Sequence, residues 1–116
     1  ATFGQAAYIA FIGAGEAPED ASIEEVYQSI TWSDWKLEQK PIDEPVTLGE
    51  FSYLVIENLD ISGGLMYRMI PGPRYAAREL EYLDFFLGTG SPYRTVSGQE
   101  VLHIMGQALA FTQEGA

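Results

Sequence analysis

TLGEFSYLVIENL, at residues 47–59, is the stretch that decides the fold, because a helix-start signal leads directly into helical periodicity. Thr47 stands three positions before Glu50, which is the spacing of a capping box. In that motif the hydroxyl accepts from the backbone of the third helical residue, and the carboxylate accepts from the backbone of the capping residue. Apolar side chains then recur on one helix face, at positions 51, 54, 55 and 59. We therefore predict a helix that begins after Thr47.

The same Ser/Thr-x-x-Glu/Gln pattern opens four segments: TFGQ (2–5), SIEE (22–25), TLGE (47–50) and SGQE (97–100). Each is followed by apolar residues at helical spacing, so each predicts a helix start. A further helix is predicted from Pro73, since proline is favoured at the first helical position, and it continues through Leu87 to a stop at Gly88. The predicted fold is all-α, with about five short helices in one compact domain, residues 1–116.

Three of these segments align with one another. Residues 47–59 align with SGQEVLHIMGQAL at 97–109, and residues 2–14 fit the same frame, with spacings of 45 and 50 residues. Self-similarity at such a period is typical of helical repeat arrays. We therefore interpret the chain as helix–loop–helix units, with a partial copy at 2–14, a copy at 22–59, a linker at 60–72 and a copy at 73–109.

The stretch YIAFIGAGEAPED, residues 8–20, offers another interpretation, in which a strand leads into a phosphate-binding glycine loop. The dinucleotide fingerprint requires a third glycine where this chain has Pro18, and no second strand follows. The alignment places residues 8–12 in a helix instead. We therefore expect Gly13 and Gly15 to form the stop at its C-terminus.

Charge and composition restrict the partners. The 116 residues carry 17 acidic and 6 basic side chains, a net charge of −11, which argues against nucleic acid or an anionic lipid surface as the main partner. The longest apolar stretch is far shorter than the roughly 20 residues that span a bilayer, so no membrane insertion is expected. The chain has no cysteine, which excludes disulfides and thiolate chemistry.

Catalytic or metal-binding chemistry is not indicated by the remaining polar residues. His103 is the only histidine, so it has no partner for a zinc site. Carboxylate pairs such as Glu24 with Glu25 fall at helix starts and loops, where anions favour the helix dipole. No segment has the alternating ligands of a calcium loop. We expect no catalytic residue, no metal and no cofactor, and hence not an enzyme.

Residues 75–109, YAARELEYLDFFLGTGSPYRTVSGQEVLHIMGQAL, resemble one S-layer-homology motif: an aromatic-Ala pair, a short helix, a loop and a capped helix containing Glu. Residues 22–59 resemble a second copy and residues 2–14 the closing helix of another. The string GGLMYRMIPGPRYAARELEYLDF, residues 63–85, is also similar to helical domains of spirochaete cell-envelope proteins. The resemblance implies a non-enzymatic module of the cell envelope or periplasm that binds cell-wall polysaccharide.

The binding motif of that family is Thr-Arg-Ala-Glu at the start of the second helix of each copy. In this chain the threonine or serine and the acidic residue are kept at Thr47 and Glu50 and at the start of the last predicted helix. The arginine is missing from every copy, and Leu48, Gly98 and Phe3 stand in its place. The cap does not require it, since the hydroxyl and the carboxylate suffice.

Candidate binding residues come from segment 61–74, ISGGLMYRMIPGPR, which is unusually apolar for a loop. It either tucks beneath the core or presents a binding surface. Arginines on and after it suit a protein or a glycan, because guanidinium pairs with carboxylates and stacks on aromatic rings. Trp32 and Trp35 are either lids on the core or stacking platforms. The candidates are Met66, Tyr67, Arg68, Met69, Arg74, Arg78, Arg94, Trp32 and Trp35.

Two functions of different classes follow from these observations. The first is a cell-envelope binding or anchoring module that holds a protein or cell-wall polysaccharide partner. The alternative is a structural subunit or filament-associated protein of the periplasm or envelope, which self-associates through the apolar 61–74 segment.

Overall fold

Five α-helices form most of the chain that the computed structural model describes, which comprises residues 1–30, 39–59, 72–83, 85–86 and 91–114. They are α1 (Phe3–Gly13), α2 (Ile23–Gln28), α3 (Leu48–Leu59), α4 (Pro73–Tyr82) and α5 (Gly98–Glu114). Extended pairing within these residues is limited to two isolated bridges, Thr2 with Pro45 and Thr47 with Thr95. The radius of gyration, 12.9 Å, is that of a compact domain of this length, about 13 Å. The predicted all-α fold is confirmed.

The predicted caps close the helix starts. Both bonds of the capping box are present at Thr2 and at Ser22. At the start of α3 the Glu50 N–H donates to Thr47 Oγ1 at 3.2 Å, and the Thr47 N–H donates to Glu50 Oε1 at 2.9 Å. At the start of α5 the Glu100 N–H donates to Ser97 Oγ at 3.1 Å. These bonds satisfy backbone donors that the helix itself leaves without partners.

The end of α1 confirms the predicted glycine stop. Gly15 has a φ of 75°, in the left-handed region that glycine adopts without strain. The Gly15 N–H donates to Ile12 O at 3.1 Å, and the Glu16 N–H donates to Phe11 O at 2.9 Å. Residues 8–12 therefore belong to a helix, and the left-handed Gly15 ends it just beyond Gly13.

The predicted extent of α4 was wrong, because the helix ends at Tyr82 and not at the residue before Gly88. Leu83 caps it, and the Phe85 N–H donates to Leu80 O at 3.2 Å, which turns the chain out of the helix. Phe85 is buried and meets Phe111 edge to face, with ring centroids 5.9 Å apart. Burial of this ring against α5 sets the end of α4.

Loops cover the starts of α1 and α3 in the same way. The N–H groups of Phe3 and Gly4 donate to Glu44 O and Ile42 O, at 2.7 and 2.8 Å. The N–H groups of Leu48 and Gly49 donate to Arg94 O and Pro92 O, at 2.8 and 2.9 Å. A side chain could not replace hydrogen at Gly4 without meeting Ile42, whose carbonyl oxygen would lie 2.9 Å from an added Cβ.

The residues just before three of the caps are joined in a closed ring, which we call the cap ring. The Val46 N–H donates to Ala1 O at 3.1 Å, the Val96 N–H donates to Val46 O at 3.2 Å, and the Ala1 amino group donates to Val96 O at 2.8 Å. The spacings of 45 and 50 residues are those of the aligned sequence segments. Division into S-layer-homology-like copies stays a prediction, which these corresponding bonds support.

The core is centred on α3, which packs against α1, α4 and α5. Every residue from 51 to 56 is buried, which is the pattern of a helix enclosed on all sides. The largest fully buried apolar side chains come from four helices: Phe3, Leu48, Phe51, Leu54, Ile56, Leu80 and Ile104. This core holds α2 and α4 at the surface, where their outer faces are exposed.

Candidate functional site

Two arginines on the outer face of α4 are exposed, and they are the basic side chains without an ion pair in the described part of the chain. Arg74 and Arg78 lie one helical turn apart, so their side chains leave the same face of the helix. Neither forms an ion pair with any carboxylate among the described residues. The Arg74 guanidinium lies 5.9 Å from the centroid of the Tyr75 ring, a cation–π contact that leaves its charge uncompensated.

These arginines line a surface groove of about 430 Å³, which we call the arginine groove. One wall is α4 and the other is the turn that precedes α5. Its lining residues are Arg74, Arg78, Glu81, Ser91, Pro92 and Tyr93. Tyr93 is 79% exposed, the most exposed large apolar side chain in the described part of the chain.

The far wall of the arginine groove is fixed by the start of α3. Pro92 O accepts from the Gly49 N–H at 2.9 Å, and Arg94 O accepts from the Leu48 N–H at 2.8 Å. Tyr93 lies between these two anchored residues, so its backbone is held while its ring extends into solvent. A large aromatic ring presented in this way can stack on an aromatic, a sugar or a guanidinium partner at low entropic cost.

Arg94 is placed differently from the other predicted arginines. It forms a bidentate ion pair with Glu100, with N–O distances of 2.7 and 2.6 Å, and Glu100 is only 5% exposed. The side-chain hydrogen bond to Glu100 raises the pKa of Arg94, the charge of Glu100 adds to this, and burial opposes it. The stability linked to this raised pKa of Arg94 is therefore fully present below the ordinary arginine pKa and is lost as the pH rises through the raised value. Arg94 holds the turn to α5 and does not line the arginine groove.

The second ion pair has the same arrangement at the preceding cap. Lys40 Nζ lies 2.5 Å from Glu50 Oε1 and also donates to Pro45 O at 2.8 Å. The acidic cap residues of α3 and α5 are thus each neutralised by a cation from the loop before the helix. Of the four described basic side chains, the two on α4 are left to meet a partner.

Six of the sequence-predicted candidates lie outside the described residues: Trp32, Trp35, Met66, Tyr67, Arg68 and Met69. Their proposed binding roles stay predictions, as does self-association through segment 61–74, of which residues 72–74 are described. The structure brings Arg74 and Arg78 together and adds Tyr93, which the sequence analysis missed. The turn signal Ser91-Pro92 beside an aromatic residue could have indicated an exposed ring.

A second groove lies along α2, and we call it the α2 groove. Its volume is about 900 Å³, and its lining residues are Ser22, Glu24, Glu25, Tyr27, Gln28 and Ile42. The side chains of Glu24 and Glu25 are exposed, whereas Tyr27 and Ile42 are partly buried. The Tyr27 hydroxyl donates to Lys40 O, and its ring meets Phe3 edge to face at 6.4 Å. This groove is acidic at its rim and apolar at its base.

Other chemistry is limited in the part of the chain that the structure describes. His103 is partly buried on α5. Within these residues no three histidine or carboxylate side chains are grouped to hold a metal ion. No described helix combines the length and the apolar composition that crossing a bilayer requires.

Comparison with known proteins gives no relative from which a role could be transferred. The chain matches no protein-family model, no curated protein and no solved structure at a significant level. Functional interpretation therefore depends on the groove residues themselves.

Proposed function

We propose that this chain is a non-catalytic binding or anchoring module of the cell envelope or periplasm, which holds an anionic partner in the arginine groove. The partner is a cell-wall glycan or an acidic protein surface. One observation carries the proposal. In a chain with a net charge of −11, Arg74 and Arg78 remain exposed and without ion pairs among the described residues, beside the exposed ring of Tyr93.

The chemistry of the groove favours carboxylates or phosphates. Guanidinium groups form paired hydrogen bonds with these anions. Two guanidinium groups one helical turn apart can therefore bind two separate anions, or two oxygens of a single carboxylate or phosphate. Glu81 in the same groove can accept from a hydroxyl or an amide of the partner. The ring of Tyr93 supplies an apolar contact that orients the bound partner in the groove.

The expected strength of one contact indicates a repeating partner. An exposed charge pair contributes about 0.2–1 kcal/mol, and an aromatic contact about 0.5–1.5 kcal/mol. Two arginines and one tyrosine therefore supply at most about 3.5 kcal/mol, which is weaker than a millimolar complex at about 4.1 kcal/mol. Retention on a partner therefore requires either several sites at once, as on a polymer, or further contacts beyond these three side chains, as between two protein surfaces.

The family resemblance supports an envelope location but supplies no binding cation. The residue that follows the cap threonine is Leu48, which is fully buried, and at the first cap it is Phe3, also fully buried. A cation for an acidic partner must therefore come from elsewhere in the chain. Arg74 and Arg78 on α4 meet that requirement.

Cosedimentation with purified peptidoglycan that carries its wall polymers tests the proposal. Arg74→Gln/Arg78→Gln lowers the net charge by two and should abolish retention. The matched control is Gln99→Glu/Gln107→Glu, which makes the same charge change at exposed positions of α5 and should retain binding. Equal retention of the arginine variant and the wild type would remove the arginine groove as the binding site.

A further inference from the structure

We infer that the anionic partner of the arginine groove is a second copy of this chain, bound through its α2 groove. The inference rests on the proposed function, since it names the partner of the same site. Copies would then join head to tail, with α4 of one against α2 of the next.

The two grooves occupy corresponding positions in the chain. The spacing of 50 residues that aligns segment 47–59 with segment 97–109 also places Glu24 over Arg74, Gln28 over Arg78, and Ile42 over Pro92. The far walls of the two grooves also correspond. The Ile42 carbonyl of the α2 groove accepts from the Gly4 N–H, and the Pro92 carbonyl of the arginine groove accepts from the Gly49 N–H. The grooves therefore share a backbone frame and differ in charge.

The charges of the two grooves are complementary. Glu24 and Glu25 line the α2 groove, and the exposed Asp43 and Glu44 directly follow its lining residue Ile42 in the chain. No described basic side chain lines this groove, and the nearest one in sequence, Lys40, is held by Glu50. In the arginine groove, Arg74 and Arg78 present the opposite charge and form no ion pair among the described residues, and Glu81 is the one carboxylate in its lining. Opposed patches of this kind set the orientation of association.

The apolar surfaces are complementary too. Tyr93 extends from the arginine groove with 79% of its surface exposed. The α2 groove offers partly buried Ile42 and Tyr27, and Ile23 beside Ile42 is 36% exposed. Tyrosine and arginine are the residues that protein interfaces enrich, which suits a contact centred on this ring with two flanking guanidinium groups.

Because the contact joins two different surfaces, an open assembly always keeps one free arginine groove at one end and one free α2 groove at the other. Heterologous contacts of this type propagate into a ring or an open filament. Salt should affect assembly in two directions. Raising ionic strength to about 0.15 M screens the long-range repulsion between copies of net charge −11, whereas about 1 M salt also weakens the contact itself.

Analytical ultracentrifugation of the full chain at about 0.15 M salt tests the inference. Wild type should form concentration-dependent species larger than a monomer, and these should shrink at about 1 M salt. Arg74→Gln/Arg78→Gln removes the cations of the arginine groove, Glu24→Gln/Glu25→Gln removes the carboxylates that line the α2 groove, and each variant alone should stay monomeric. An equimolar mixture should form a 1:1 dimer and nothing larger, because each variant keeps one competent groove and its altered groove has lost the charges that pair with a second copy.

Tyr93→Ala provides a variant whose net charge and fold are unchanged, since the side chain is almost fully exposed. It should weaken association about tenfold, as expected for an aromatic anchor. A wild-type chain that stays monomeric at every salt concentration, or variants that associate like wild type, would overturn the inference. If the wild-type chain were monomeric but still sedimented with wall polymer through Arg74 and Arg78, the inference would be wrong. The proposed function would then remain supported.

Discussion

Alanine at position 4 tests how the loop at 42–44 covers the start of α1. Gly4 is buried, and its N–H donates to Ile42 O at 2.8 Å. A Cβ at this position would lie 2.4 Å from Ile42 Cγ1 and 2.9 Å from Ile42 O. The isoleucine side chain can rotate away, but the carbonyl cannot withdraw without breaking the bond that caps the helix.

The expected loss follows from two opposing contributions. Overpacking of a close contact costs about 1–3 kcal/mol. Replacing glycine by alanine in a helix recovers about 0.5–1 kcal/mol of backbone entropy. Gly4→Ala should therefore lower the free energy of unfolding by about 1 kcal/mol, and by no more than about 2.5 kcal/mol. For a domain of this size a loss of about 1 kcal/mol lowers the melting temperature by about 4 °C.

Thermal and urea unfolding followed by far-UV circular dichroism would measure this loss. Gly106→Ala is the matched control, because position 106 is exposed within α5 and an added Cβ there meets nothing within 4 Å. The control should gain about 0.5–1 kcal/mol. If Gly4→Ala were as stable as Gly106→Ala, the close approach of the loop to α1 would be refuted.

Three further substitutions probe the caps and the core. Thr47→Ala should lower stability by about 1 kcal/mol through loss of the bond to the Glu50 N–H, and an unchanged melting curve would contradict the cap. Glu100→Gln should lower the free energy of unfolding by about 1–3 kcal/mol, because Arg94 loses its charged partner. A double-mutant cycle with Arg94→Met should show that the two positions are coupled, and strictly additive effects would contradict the ion pair. Ser52→Ala should leave the free energy of unfolding unchanged or raise it by up to about 1 kcal/mol, because the fully buried Ser52 hydroxyl has no hydrogen-bond partner among the described residues. Destabilisation by more than about 1 kcal/mol in urea unfolding would show that the hydroxyl does have a partner.

Helix starts were predictable because a capping box is a local signal. Both bonds of the cap join Thr47 and Glu50, which are three positions apart, so they form without contacts from distant parts of the chain. The end of α4 was not predictable in this way. The periodicity of its apolar residues continues towards Gly88, but burial of Phe85 against Phe111 on α5 ends the helix at Tyr82.

The candidate site was only partly predictable for a related reason. Sequence placed Arg74, Arg78 and Arg94 in one group because all three are arginines in the same half of the chain. Which of them is paired depends on the turn before α5, where Glu100 is buried within reach of Arg94 and of neither other arginine. Exposure of Tyr93 likewise depends on two backbone bonds to α3, which no local pattern records.

The cap ring limits how many units can share one centre. Each of its three members uses its N–H for one neighbour and its carbonyl for the other, and the bond between Ala1 and Val96 spans 95 positions along the sequence. A fourth helix start could join the ring only by breaking one of its three bonds, unlike a solenoid, in which the end of the array remains open to the next repeat. A unit added by duplication would therefore have to pack outside the ring or open it.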